Sequence, residues 1–375
     1  MIPSSKKDKE GWQGRWIALR NRVLADSGFQ RFAARFPLTR PIARRRARAL
    51  FDLVAGFTYS QTLVACVETG LLDLLADAPL DTDTVARLAD FPPESADRLL
   101  RAATAIGLVE RLGTRWALGA DGAALRGNRG IAEMVAHHHL LYADLADPVA
   151  MLRRGGGGGA LSDYWRYAES SGSGTDAEVA AYSTLMAASQ PLIAEQVIQA
   201  YRFDRHRRML DVGGGEGAFL AAVGAAAPAL ALSLFDLPAV GARAKGRLAA
   251  HGFESRATIY GGDFLADALP DGHDIISLVR VLHDHDDAAA MVLLRAIRAA
   301  LPPGGTLLIA EPMAQTRGAE PAGDAYFGLY LLAMGSGRPR SPREIAAMLL
   351  AAGFARSRLL PTAMPLTARV IVATV

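Results

Sequence analysis

The sequence predicts an α/β fold: a mostly parallel, doubly wound sheet closed by an antiparallel hairpin and preceded by a mainly helical region. Three observations carry this. The stretch Arg208 to Phe219, R-M-L-D-V-G-G-G-E-G-A-F, passes from a short apolar run into four glycines and then into an Ala/Leu-rich pattern, which is a strand, a tight turn and a helix start. From there strand-like runs alternate with helical periodicity, as right-handed βαβ crossovers do. The last two strand-like runs, Ala355 to Pro361 and Ala368 to Val375, have no helix between them, so they pair most simply as antiparallel neighbours.

Composition bounds the rest. With 375 residues, 51% hydrophobic and 21% charged, the chain is long enough for two domains with sizeable cores and is not disordered. The single cysteine, Cys66, cannot close an internal disulfide, which fits a reducing cytoplasm, and reads as a small buried apolar residue. No apolar segment follows the Lys-rich start, Met1 to Glu10, so no secretory signal is read. No window offers about 18 uninterrupted apolar residues, so a membrane span is not expected. Arg35, Arg40, Arg44, Arg45, Arg46 and Arg48 crowd one segment beside Phe36, Ile42, Leu50 and Phe51. This reads first as a solvated helix face and second as a peripheral contact with anionic lipid.

In chain order, residues 1–48 form a basic, partly helical arm, and residues 49–195 and 196–375 form two domains. From Ala49 to Leu75 the apolar residues recur at three- and four-residue steps, a helical region expected to break near Gly56 and again at Gly70. Residues 80–118 read as a winged-helix unit: helices at Thr84 to Ala89 and Glu94 to Ile106, then a hairpin of Val109 to Leu112 and Arg115 to Leu118. Such units often bind DNA, but Arg98 and Arg101 are offset by Glu94 and Asp97, so no nucleic-acid partner is expected. Helices follow at Ile131 to Leu152 and Asp176 to Tyr201, separated by a five-glycine run, Gly155 to Gly159, that is flexible by composition. Beyond the glycine turn, strands are expected at Ala231 to Asp236, Ala257 to Tyr260, Asp274 to Val279 and Thr306 to Glu311. Helices are expected at Ala239 to His251, Ala288 to Leu301 and Pro342 to Ala352.

The chemistry-bearing residues gather at strand ends. Glycines at 213, 215 and 217 make G-x-G-x-G, not the G-x-G-x-x-G that seats a pyrophosphate. A phosphate-free cofactor such as S-adenosyl-L-methionine (SAM) fits better. Asp236, in F-D-L-P, stands where an acid takes ribose hydroxyls, and Asp263, in G-G-D-F, is placed for an adenine amino group with Phe264 beside the ring. Each acid alone also reads as a cap or turn residue; together with the turn they favour binding. The fourth strand ends L-V-R-V-L-H-D-H-D-D, where His283 alone reads equally as a histidine ahead of a helix capped by Asp284 or Asp286. His137, His138 and His139 are adjacent, point in different directions around a helix and form no metal face. Tyr326, Tyr330 and Met334 recur at i, i+4 and i+8 with Phe327 and Leu331 alongside. Such a stripe is usually core, but this one precedes a Gly335-Ser336-Gly337 break at the cofactor end of the sheet, where it is a candidate substrate face.

Taken together, Leu210 to Phe219, Phe235-Asp236-Leu237-Pro238, Gly261 to Phe264, Leu282-His283-Asp284 and Ala310-Glu311 resemble the caffeate/hydroxyindole-type O-methyltransferases, from about residue 50 to the end. The terminal hairpin is similar to the ending of the class I SAM-dependent methyltransferase fold. The resemblance implies a winged-helix dimerisation domain over 49–195 with substrate-pocket helices, a SAM-binding catalytic domain over 196–375, a homodimer, SAM as methyl donor with S-adenosyl-L-homocysteine as product, and no metal. It implies His283 as general base, oriented by Glu311, with Asp284 in the same catalytic group. Asp211, Gly213, Gly215, Asp236, Leu237, Asp263, Phe264, Arg280 and Gln190 are its implied cofactor residues. Tyr182, Met186, Tyr326, Tyr330 and Met334 are its implied substrate residues.

Within that group, three segments resemble the bacterial carotenoid O-methyltransferases acting on hydroxyneurosporene and demethylspheroidene: His137 to Leu145; Arg153-Arg154-Gly155 with Asp163-Tyr164-Trp165; and Arg280 to Asp287. The implied substrate is then a lipophilic tertiary alcohol, which also suits a cytoplasmic enzyme lying against the inner, photosynthetic membrane. A phenolic acceptor, or a carbon of a bacteriochlorophyll precursor, is the alternative for the same machinery; a winged-helix DNA-binding regulator is the alternative of another class. The sequence departs from the plant-type pattern at His285, where that pattern has tryptophan, and at Pro339, where it has a second histidine-orienting glutamate. The resemblance therefore implies that Glu311 acts without that partner.

Overall fold

The computed structural model describes residues 5–169 and 190–375, in two units, Met1–Gly122 and Ala123–Val375. The first begins with α1 (Ser5–Ala25), α2 (Ser27–Arg35) and α3 (Arg40–Glu68). Asp26 caps α2, accepting from the Phe29 amide at 2.6 Å. Contrary to the expectation from sequence, α3 runs unbroken through Gly56. One half-buried glycine costs a helix only about 1 kcal/mol, which a helix this long tolerates. By length and composition α3 is long and apolar enough to cross a membrane, a property that the uninterrupted-run criterion missed. Its later turns pack against α6 (Pro93–Ala105), and Cys66 is fully buried.

The chain turns at Gly70, φ +64°, into α4 (Leu71–Leu74), β1 (Leu80–Asp81) and α5 (Thr82–Leu88), the last capped by Asp81 through the Thr84 amide at 2.8 Å. After α6 comes the hairpin β2 (Val109–Leu112) and β3 (Arg115–Leu118), in a three-stranded sheet of order β1-β3-β2. Trp116 anchors this wing: it is buried and its Nε1 donates to Thr82 Oγ1 at 2.9 Å.

After α7 (Ala120–Arg126), the second unit opens with α8 (Arg129–Asp144), α9 (Pro148–Arg153), α10 (Ala160–Glu169) and α11 (190–200). The single helix expected over Ile131 to Leu152 is therefore two. Pro148 lacks an amide and disfavours helix at the residue before it, and Asp147 instead caps α9 through the Ala150 amide at 2.9 Å. The helix expected from Asp176 lies outside the described residues up to 189.

The five-glycine run is a packed turn rather than a flexible linker. The Gly157 amide donates to Leu332 O at 2.9 Å, and a Cβ on Gly156 would fall 2.2 Å from that same oxygen. Asp144 closes the turn by accepting from the Ala160 and Leu161 amides at 2.8 and 2.9 Å.

Then follow β4 (Arg208–Val212), α12 (Ala218–Ala226), β5 (Ala231–Asp236), α13 (Pro238–Ala250), β6 (Ala257–Gly261), β7 (Ile275–Val279), α14 (Asp287–Ala300) and β8 (Thr306–Glu311). A π-helical turn, Pro321–Tyr326, leads into α15 (Phe327–Met334), and α16 (Pro342–Ala351), β9 (Arg356–Leu360) and β10 (Arg369–Thr374) complete the chain. The seven-stranded sheet has the order β6-β5-β4-β7-β8-β10-β9. Strands β4 to β8 are parallel, and β10 runs antiparallel to both β8 and β9. Side chains alternate between two cores, as a period of two requires. Met209, Leu232 and Leu308 pack with Leu220 and Leu248 on one face, while Leu210, Ile276 and Ile309 pack with Leu293 and Ile345 on the other.

Candidate active site

The carboxyl ends of β4, β5, β7 and β8 meet where the strand order reverses around β4, the place at which doubly wound sheets bind ligands. At β4, Gly213, Gly215 and Gly217 all take positive φ, +67°, +58° and +76°. Two of the turn's glycines are also required by crowding: a Cβ on Gly213 would stand 2.8 Å from Val281 Cγ2, and one on Gly214 would stand 2.6 Å from Asp211 Oδ2. Above Gly215 a Cβ would meet nothing within 4 Å, so the turn opens outward there.

Asp236 borders that opening, its Oδ2 accepting from the Gly215 amide at 2.7 Å and its Oδ1 from the Leu237 amide at 2.8 Å. These two bonds fix the carboxylate but leave lone pairs for a diol, and burial raises its pKa. Asp211 is buried, accepts from Ser277 Oγ, and leaves Oδ2 without a hydrogen-bond partner; burial pushes its carboxyl up to about 7. The Phe264 ring lies over Gly213, with Cε1 3.6 Å from where a Cβ would be, and meets His285 edge-on at 5.3 Å. This narrow cradle, with an acid and an aromatic ring at its rim, suits an adenosyl group. Asp263 is exposed, and its Oδ1 accepts from the Leu265 amide at 2.8 Å, a bond that orients the carboxylate and leaves acceptor capacity. Gln190 begins the described part of α11 with its Oε1 buried and without a partner.

After β7, Arg280 takes φ +58°, an uncommon value for a side chain of this size. Its amide donates to Ala310 O at 2.9 Å. The chain then folds into a 3-10 turn, Leu282–Asp284, which presents His283. That side chain is 3% exposed, its Nε2 lies 3.3 Å from Asp284 Oδ1, and its Nδ1 has no partner. Burial, and then the positive charges of Arg280 and Arg340, push its pKa down to about 3, so it is a neutral imidazole at neutral pH. Glu311, at the end of β8, accepts from the His283 backbone amide through Oε2 at 3.1 Å, and its buried Oε1 is unpartnered. Burial pushes this carboxyl up to about 8, with Arg340 opposing.

Sequence reasoning missed what holds this turn. Arg340 is fully buried and donates to Leu282 O at 2.8 Å, to His285 O at 2.7 Å and to Asp287 Oδ1 at 2.7 Å. Beside it, the Arg338 amide donates to His283 O at 2.9 Å and Ser336 Oγ donates to Asp284 O at 2.9 Å. A Cβ on Gly337 would fall 2.1 Å from His283 O. The two arginines flank Pro339, where the plant-type pattern has its second glutamate. Here the histidine turn is gripped by its backbone.

His283, Asp284 and Arg280 line a cavity with Met134, His137, Trp165, Tyr326, Phe327, Tyr330 and Leu331. Tyr326 and Tyr330 are thus brought to the histidine as the stripe suggested, each tied to α8: Tyr330 OH lies 3.1 Å from His137 Nε2 and Tyr326 OH 2.7 Å from His138 Nε2. The Phe327 ring lies 5.7 Å from that of His283. Met334 is not part of this cavity; it lines a neighbouring pocket with Gly157, Trp165 and Ser336. Eight residues carry a helix about 12 Å along its axis, past the cavity's end. Tyr182 and Met186 lie outside the described residues. No group of three or more potential metal ligands occurs among the described residues.

Residues 142–355 match the O-methyltransferase domain family and residues 51–124 the O-methyltransferase dimerisation domain. The chain belongs to this O-methyltransferase family. The methyltransferase is 44% identical to the demethylspheroidene O-methyltransferase of Cereibacter sphaeroides, over 94% of this chain and 93% of that one. It is 40% identical to the enzyme of the same name from Rhodobacter capsulatus, over 93% of this chain and 88% of the other. Among solved structures, human N-acetylserotonin methyltransferase in complex with SAM superposes with a TM-score of 0.72 at 25% identity, covering 88% of this chain and 97% of that one. The methyltransferase is therefore SAM-dependent, has the class I fold with a helical N-terminal dimerisation domain, and that domain supports a homodimer.

Proposed function

We propose that this methyltransferase methylates the tertiary 1-hydroxyl of an acyclic hydroxycarotenoid such as demethylspheroidene or hydroxyneurosporene, with His283 as general base. The observation that carries this is a buried imidazole lining an aromatic cavity, in a chain 44% identical to a demethylspheroidene O-methyltransferase. Tyr326, Phe327, Tyr330 and Trp165 offer apolar faces to a polyene end, and the two tyrosine hydroxyls are already occupied by His137 and His138. From the resemblance, Tyr182 and Met186 extend that surface, and Met334 lines the neighbouring pocket on the other side of Trp165.

SAM supplies a methyl group already activated by its sulfonium leaving group. The protein's task is alignment and proton management. Gly213, Gly215, Asp236, Leu237, Phe264, Asp211, Arg280 and Gln190 hold the cofactor, with Asp263 at the rim. A tertiary alcohol is too weakly acidic to ionise in advance, so the His283 ring must take the hydroxyl proton at Nε2 while the oxygen–carbon bond forms. Asp284 Oδ1, 3.3 Å from that nitrogen, then accepts a hydrogen bond from the imidazolium. Glu311 Oε1, buried and free, is the acceptor that would hold the proton on Nδ1 and keep Nε2 basic.

SAM turnover by purified enzyme against hydroxycarotenoids, simple phenols and chlorophyllides tests the reading. Product with the carotenols and none with the others is expected; a phenol methylated faster would overturn it. We further propose that the enzyme works in the cytoplasm at the surface of the membrane that would hold such a lipophilic acceptor.

A further inference from the structure

The N-terminal arm has charge and pattern that neither methyl transfer nor the dimerisation domain uses. Residues 1–48 hold thirteen Lys and Arg against three Asp and Glu, a balance of +10 in a chain whose total is +3. The rest of the chain is thus acidic, and the positive charge is concentrated ahead of the dimerisation match that begins at residue 51. Within α1, Trp12, Trp16, Leu19 and Val23 recur at i, i+4, i+7 and i+11, which sets them in one stripe. They are exposed by 68, 54, 53 and 38%. Arg20 borders the stripe on one side and Arg15 and Arg22 on the other. At the start of α3, Arg44, Arg45, Arg46 and Arg48 are exposed beside exposed Ile42, Leu50 and Phe51.

From this we infer that the arm docks the enzyme on an anionic lipid bilayer, lying in the interface with Trp12 and Trp16 inserted at headgroup depth. Indole rings favour that boundary because one edge is apolar and the N–H remains wet. Arginines flanking a narrow apolar stripe meet lipid phosphates while their stems cover hydrocarbon. A second copy of the arm is a poor occupant, since two surfaces of the same strong positive charge repel. The inference deepens the membrane placement above and stands separately from the identity of the acceptor.

Full-length enzyme is sedimented with vesicles of phosphatidylcholine alone or mixed equally with phosphatidylglycerol. Wild-type protein should partition to the anionic vesicles at least about tenfold better, and lose that preference in high salt. Trp12→Ser with Trp16→Ser, and separately Arg44→Glu with Arg45→Glu and Arg46→Glu, should each weaken partition about tenfold. Both should leave turnover of detergent-dispersed substrate unchanged. Tryptophan emission should shift to the blue on vesicles in the wild type and not in the Trp12/Trp16 variant. The inference is overturned if wild-type protein stays in the supernatant or the variants partition like it. It is also overturned if the variants turn a dimer into monomers in sedimentation velocity, since the stripe would then be covered by a second copy. Tighter retention of the arm by duplex DNA than by anionic vesicles at equal salt would overturn it too. Failure of carotenol turnover with vesicle binding intact would break the acceptor assignment alone.

Discussion

The two sides of the cleft are built by opposite means. The glycine turn is set first by its own stretch, through positive φ at three glycines and crowding of Gly214 by Asp211, and only then by Val281 and the Asp236 carboxylate from other strands. The histidine turn has only two local amide bonds, Asp284 to Val281 O and His285 to Leu282 O. It is held by Glu311 from 28 residues away and by Arg340 from 58 residues beyond Leu282. A ligand site whose geometry is a backbone conformation tolerates little substitution within a short stretch. A base whose position is imposed from elsewhere is vulnerable at residues that never meet substrate.

The largest effect should come from the base itself. His283→Ala is expected to lower turnover by about 10²- to 10⁴-fold while SAM affinity, measured by calorimetry, changes little, because the substitution leaves the glycine turn and its Asp236 contact in place. Unchanged turnover would remove His283 from the chemistry.

Next comes its support. Arg340→Ala leaves the Leu282 and His285 carbonyls without their donor, while Asp287 keeps Arg338, and should cost about 1–3 kcal/mol for each carbonyl in denaturant unfolding. Turnover should fall well below that of a surface control at temperatures where the variant is folded, and Arg340→Lys should rescue it only in part, since lysine cannot reproduce the fork. Equal kcat for Arg340→Ala and wild type would mean that the clamp serves stability alone.

The pH profile sharpens the same contrast. An ordinary histidine base, near pKa 6.5, loses rate as pH falls through that value. With the ring pushed down to about 3, the base stays unprotonated, so kcat/KM should show no acid limb from His283 between about pH 5 and 7. In Arg340→Ala, where an opposing positive charge is gone, any acid limb should move to higher pH. A limb near 6.5 in the wild type that disappears in His283→Gln would show the ring to be hydrated.

On the cofactor side, Gly213→Ala meets both a positive φ and Val281, a strain of about 1–3 kcal/mol, and should weaken SAM binding by about tenfold. The smallest effect is expected at Ser341, whose capping box with Glu344 starts α16. Ser341→Ala should cost about 1 kcal/mol with SAM affinity retained.

This division also explains what could be read from sequence. The glycine turn, Asp236, the sheet and the terminal hairpin are written in contiguous residues, and spacing alone exposed them. Arg340 was invisible because nothing in S-G-R-P-R-S marks a side chain as buried; only the fold brings it beneath the histidine turn. Gly56 was misread because glycine was counted as a breaker without weighing the helix on either side. Met334 shared a periodicity with Tyr326 and Tyr330, and periodicity fixes a face but not how far along it a cavity extends.

The glycine run at 155–159 carries a mechanical consequence. Gly157 is bonded directly to the main chain of α15, and Gly156 leaves no room for a single added carbon, so loop and helix are joined backbone to backbone with no side chain acting as a spacer. Helix α15, which bears Tyr326's neighbours in the aromatic wall, can be displaced only by parting this seam. Widening the enzyme's choice of acceptor would then start at the seam, not at the rings.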